Sequence, residues 1–165
     1  MKCKLLVLVF TAFLTVFLAT PVLAQASASM TAPIIRSAEG AIRMSVHFTN
    51  FAPNSRYRIG LGIPGDVTPD VTLELHENET AVSKEPVDFI QKNTNHWWGV
   101  PQIAARGFAL SASDLAGEGK ELVFRMSIPR ESADKAGKLY IFISRDYGAN
   151  TWYLEDGSEL DESNW

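Results

Sequence analysis

Ala41-Ile42-Arg43-Met44-Ser45-Val46-His47-Phe48-Thr49 decides the fold. Ile42, Met44, Val46 and Phe48 take every second position, and Arg43, Ser45, His47 and Thr49 fill the gaps. In extended backbone successive side chains point to opposite faces, so this stretch is a strand with one dry and one wet side. Tyr57-Arg58-Ile59-Gly60-Leu61 and Val71-Thr72-Leu73-Glu74-Leu75-His76 repeat the alternation. Leu122, Phe124, Met126 and Ile128 line one side of a further strand, against Arg125 and Ser127. Leu139 to Ile143 is apolar on both faces, which predicts a central strand.

Turn residues separate these runs: Glu39-Gly40, Pro53-Asn54, Pro64-Gly65, Gly117-Glu118-Gly119 and Asp156-Gly157. Several short strands joined by such turns predict an all-β fold, an antiparallel β-sandwich. One short crossover helix is expected at Pro129 to Gly137, with proline near its start and glycine after its end. Gly137-Lys138-Leu139-Tyr140 resembles the tyrosine corner of immunoglobulin-like sandwiches, with a different spacing and with Phe142 where an antibody domain carries cysteine. The resemblance implies an immunoglobulin-like or similar architecture and assigns no family.

Ahead of the sandwich the composition changes. Lys2 and Lys4 precede a run from Leu5 to Ala19 that is apolar except for Thr11 and Thr15. Pro21, Val22 and Ala24 follow, with Ala26-Ser27-Ala28 close behind. Basic, apolar and small segments in that order predict a secretory signal over residues 1–24, cleaved near Ala24 or Ala28. An uncleaved anchor is the competing reading, but the apolar run falls short of the roughly 20 residues a spanning helix needs. The expected location is secreted or periplasmic, with no transmembrane segment after cleavage. Residues 25–32 read as a flexible tether, and 33–165 as a single domain.

Cleavage after Ala24 leaves 141 of the 165 residues, enough for one ordinary core. The one cysteine, Cys3, departs with the signal, so no disulfide is expected despite export. Loss of Lys2 and Lys4 leaves 13 basic against 19 acidic residues, a net charge of −6. That balance argues against nucleic acid or an anionic membrane as partner.

Apparent chemical motifs fail on context. Gly60-Leu61-Gly62-Ile63-Pro64-Gly65 spells G-x-G-x-x-G, but Pro64 sits inside it and no helix opens after it to meet a pyrophosphate. Ser132-Ala133-Asp134-Lys135 spells S-x-x-K without the companion S-D-N and K-T-G elements. His47, His76 and His96 share no close ligand spacing and read as three unrelated surface histidines, so no metal is expected. Glu155, Asp156, Glu159, Asp161 and Glu162 lack the order of a calcium loop and read as a charged hairpin that keeps a sheet edge soluble. Asn78-Glu79-Thr80 is a glycosylation sequon, meaningful only in a eukaryotic secretory route. No cofactor is implied.

One constellation remains. Asn93-Thr94-Asn95-His96-Trp97-Trp98-Gly99 sets two adjacent tryptophans among loop-forming residues, and neighbouring side chains cannot both enter one core. Trp152-Tyr153 poses the same question. Flat aromatics flanked by amides and an imidazole suit stacking on a sugar or gripping a peptide. The competing reading is that Trp97 or Trp98 plugs one end of the sandwich. Asn95, His96, Trp97, Trp98, Trp152 and Tyr153 are therefore the candidate binding residues. The expectation is an exported, non-catalytic binding domain for carbohydrate or another cell-envelope component. The alternative is a protein-interaction factor, whether inhibitor, immunity or accessory factor, or adhesion subunit. A small secreted hydrolase ranks third, for want of a locatable carboxylate pair.

Overall fold

The computed structural model describes residues 27–92 and 97–165, apart from the Trp97 side chain. The signal segment lies outside the described residues, as do Asn95 and His96. Of the described residues 55% are strand and 9% helix, in two packed antiparallel sheets with one short helix. The alternating segments become β3 (Ala41–Thr49), β4 (Tyr57–Pro64), β5 (Thr72–Glu77), β9 (Leu122–Pro129) and β10 (Lys138–Asp146). Six more strands join them: β1 (Ser29–Met30), β2 (Ile34–Ala38), β6 (Thr80–Ala81), β7 (Val87–Lys92), β8 (Gln102–Leu110) and β11 (Trp152–Asp161). No helix among the described residues is long and apolar enough to cross a membrane.

The first sheet runs β1-β3-β9-β5-β6, with β2 beside β1 on the same edge of β3. The second runs β11-β10-β4-β8-β7. Without β6, β7 and β8, this order is the A-B-E-D against G-F-C arrangement of an immunoglobulin-like sandwich. The β7–β8 pair comes between the fourth and fifth strands of that scheme and extends the sheet beyond β4.

The core fills the space between the sheets. Ile42, Val46, Phe48, Phe124 and Ile128 from one side meet Ile59, Leu61, Phe108, Ile141 and Ile143 from the other, all essentially inaccessible. Phe124 makes edge-to-face contact with Phe108 across the layers (5.7 Å between ring centres). Helix α1 (Arg130–Ala136) carries the chain from β9 to β10, buries Ala133, and closes on Gly137 in left-handed conformation (φ 70°).

Three expectations change. Part of the supposed tether is strand: β1 pairs with β3, and Ala28 is buried. The backbone amides of Ala28 and Met30 donate to Glu155 Oε2 (3.1 Å) and Asp156 Oδ2 (2.9 Å) in the opposite sheet. Consequently Asp156-Gly157 is no turn, and the acidic cluster begins inside edge strand β11. A register shift between Ile143 and Ser144, opposite Leu154 and Asp156, leaves Glu155 unpaired in a bulge and turns its carboxylate toward β1. His76 is also no surface residue; it is buried, with Nε2 3.0 Å from Glu74 Oε2.

Candidate functional site

The second sheet has an apolar outer face as well as an inner one. Outward positions of β4 are Arg58, Gly60 and Gly62, so the middle of that strand presents no side chains. Rings from other strands fill the space. A Cβ on Gly60 would sit 3.1 Å from the Phe89 ring and 3.5 Å from that of Phe142. One on Gly62 would collide with Ile103 at 2.2 Å. The G-x-G spelling thus serves ring packing on a strand, not phosphate binding. Ile103, Ala105, Tyr140 and Phe142 are buried here, with Phe89, Trp98, Val100 and Leu154 partly buried around them.

Trp98 reaches this face through the turn Trp97–Gly99. Its left-handed backbone (φ 51°, ψ 22°) and that of Gly99 (φ 75°) reverse the chain over β10 and β11. The indole lies against Gly157 and stacks on Tyr140, 4.8 Å between ring centres at 31°. Burial, then Glu159, push the Tyr140 phenol above its ordinary pKa. Tyr140 and Phe142 face outward, away from the main core, so no tyrosine corner forms.

Trp152 stands on the same face, toward the other end of β11. It pairs with Asp146 in register and is partly exposed. The Arg58 guanidinium lies 4.0 Å from its ring centre and 5.0 Å from that of Phe89. Arg56 approaches Trp152 more distantly, at 6.0 Å, and pairs with Asp146. Burial lowers the Arg58 pKa, Asp146 opposes that shift, and Arg56 reinforces it. Beside Arg58 in register, buried Ser144 donates to Gln91 Oε1 at 3.3 Å.

Trp98, Leu154 and Trp152 therefore form one partly exposed ridge along edge strand β11. From Trp152 to the Gly157 beneath Trp98 the strand advances on the order of 16 Å. Tyr153 points to the other face and meets Tyr147 edge-on (5.4 Å). Tyr147 donates its hydroxyl to Glu155 at 2.5 Å, which is the first cause of its raised pKa. The structure thus unites two of the six candidates, Trp98 and Trp152. It separates Tyr153 from them, and Asn95, His96 and the Trp97 side chain lie outside the described residues. Arg58 and Leu154 escaped the sequence reading.

Another polar cluster lies in the chain's loops on the first sheet's side, around Asp114. Asp114 Oδ2 accepts from Lys84 Nζ (2.8 Å), Ser111 Oγ (2.6 Å) and the Ser111 amide (2.7 Å) beside a cleft of about 210 Å³. Burial raises its pKa, but these donors together outweigh burial and bring it down to about 2. One carboxylate oxygen holding three donors pins a loop and leaves no base to activate Ser111. Among the described residues no three His, Cys, Asp or Glu side chains could hold a metal. No protein-family model and no curated protein matches the chain.

Proposed function

We propose that this chain is an exported, non-catalytic binding domain whose ligand is a carbohydrate of the cell envelope or its surroundings. The supporting observation is the convergence of Trp98 and Trp152, from separate segments, on one partly exposed face of the second sheet. Flat rings held in place by packing offer apolar area at little cost in side-chain entropy, as stacking against the C–H face of a sugar requires. Arg58 beside Trp152 supplies N–H donors for hydroxyl or acidic groups.

A glycan array probed with the exported chain and with Trp152→Ala tests the proposal. Binding by the first and its loss in the second supports it. Absence of binding across plant, animal and microbial glycans contradicts it.

A protein-interaction role is the second reading. Exposed Val87 and Ile90 on edge strand β7 favour it, since an unpaired edge can accept a partner strand. Co-purification of a stoichiometric protein lost in Ile90→Lys would support this reading over the first.

A further inference from the structure

Arg58 stands out chemically on the ridge. The chain is acidic overall, yet this half-buried cation makes no hydrogen bond or ion pair to another described residue. Its cation–π contacts are to the rings of Trp152 and Phe89 and do not use its N–H donors. The nearest anion does not neutralise it. Asp146 has a nearly buried side chain that pairs with Arg56 and accepts the Gly148 amide (2.8 Å). Arginine stays charged under such burial, and its planar fork fits a carboxylate through two parallel hydrogen bonds. Cation–π contact alone is a weak reason to desolvate a guanidinium.

We propose that Arg58 makes the ridge selective for acidic glycans, its guanidinium taking the carboxylate of a uronate sugar bound along the ridge beside Trp152. The inference rests on the carbohydrate reading and narrows it to one ligand class. Charge complementarity carries it: a cation with open donors, set against an aromatic platform. Phosphate-bearing glycans would meet the same charge and can take the same guanidinium fork, so a phosphorylated glycan is compared directly in the test.

Titration calorimetry with oligogalacturonate and with its carboxyl-reduced counterpart, each against the exported chain, is the test. Oligogalacturonate should bind at least about tenfold more tightly than the reduced form, as expected for a charge-assisted pair of hydrogen bonds. Arg58→Gln should bring the two to equal affinity, and Arg58→Lys should recover only part of the difference. Arg43→Gln removes the same charge from the outer face of the first sheet and should change nothing. Far-ultraviolet circular dichroism confirms that each variant folds. If Arg58→Gln does not fold, the preference of the unmodified chain for the acidic form still decides. Equal binding of both oligomers, or a preference that survives Arg58→Gln, overturns the inference and leaves the carbohydrate reading standing. Binding of neither overturns both. Tighter binding of a phosphorylated glycan than of the uronate overturns the carboxylate assignment.

Discussion

The Trp98 indole lies so close to Gly157 that a Cβ there would sit 2.7 Å from Cη2 and 2.8 Å from Cζ2. Ring and glycine are a matched pair, 59 positions apart in the chain. Gly157→Ala should therefore push the indole off Tyr140. Emission should shift to longer wavelength as the ring gains water, and stability should fall by about 1–3 kcal/mol, the usual range for overpacking. An unchanged emission spectrum would show that Trp98 does not depend on this contact.

The β10–β11 turn holds stored strain. The Tyr147 N–H donates to Thr151 O and the Thr151 N–H donates to Gly148 O, and between them Ala149 (φ 50°) and Asn150 (φ 58°) are both left-handed. That is the backbone of a type I′ turn, in which alanine costs about 1–2 kcal/mol. Ala149→Gly should raise stability by about 0.5–1 kcal/mol after glycine's greater unfolded-state freedom is subtracted. Chemical denaturation measures it. A loss of stability would mean that the turn is not built this way.

Asp114 gives a pH signature. Its folded pKa, about 2, lies below the unfolded value near 3.8, so its contribution is complete above the unfolded value and vanishes as pH falls through the folded one. Asp114→Asn should cost about 1–2 kcal/mol at neutral pH, allowing for partial solvent screening. The gap from the parent should close as pH is lowered toward 2. A gap that persists there would assign the loss to packing.

The two possible cleavage points have different structural consequences. Ala28 is buried and its amide binds Glu155, so cutting after Ala28 removes a contact that joins the sheets. The exported product should begin at Gln25, and a version beginning at Ser29 should melt lower. Intact-mass analysis and a pair of thermal melts check both statements. A product that begins at Met1 and stays in the membrane would remove the export premise.

Much of the sandwich was legible because β3, β5 and β9 each have one polar face, and alternation is the imprint of that asymmetry. β8 was not legible: Ile103, Ala104, Ala105, Gly107 and Phe108 are buried in a strand covered on both sides, and small residues there erase the period. β11 was hidden because Glu155 and Asp156 look like surface charge while their oxygens accept from the backbone amides of Ala28 and Met30. The adjacency of Trp97 and Trp98 singled out their segment, but nothing local linked Trp98 to Trp152. Arg58 did leave a trace: outward positions reading Arg, Gly, Gly on a strand mark a face that other side chains must cover.

The most direct measurement records the indole N–H signals of the chain's four tryptophans by NMR while oligogalacturonate is added. Trp165 is the internal control, since its Nε1 donates to Asp134 Oδ1 (3.1 Å) beside α1, away from the ridge. The account predicts that the Trp98 and Trp152 signals shift together and saturably while Trp165 stays in place. Shifts confined to Trp165, or no shift at saturating ligand, would contradict it.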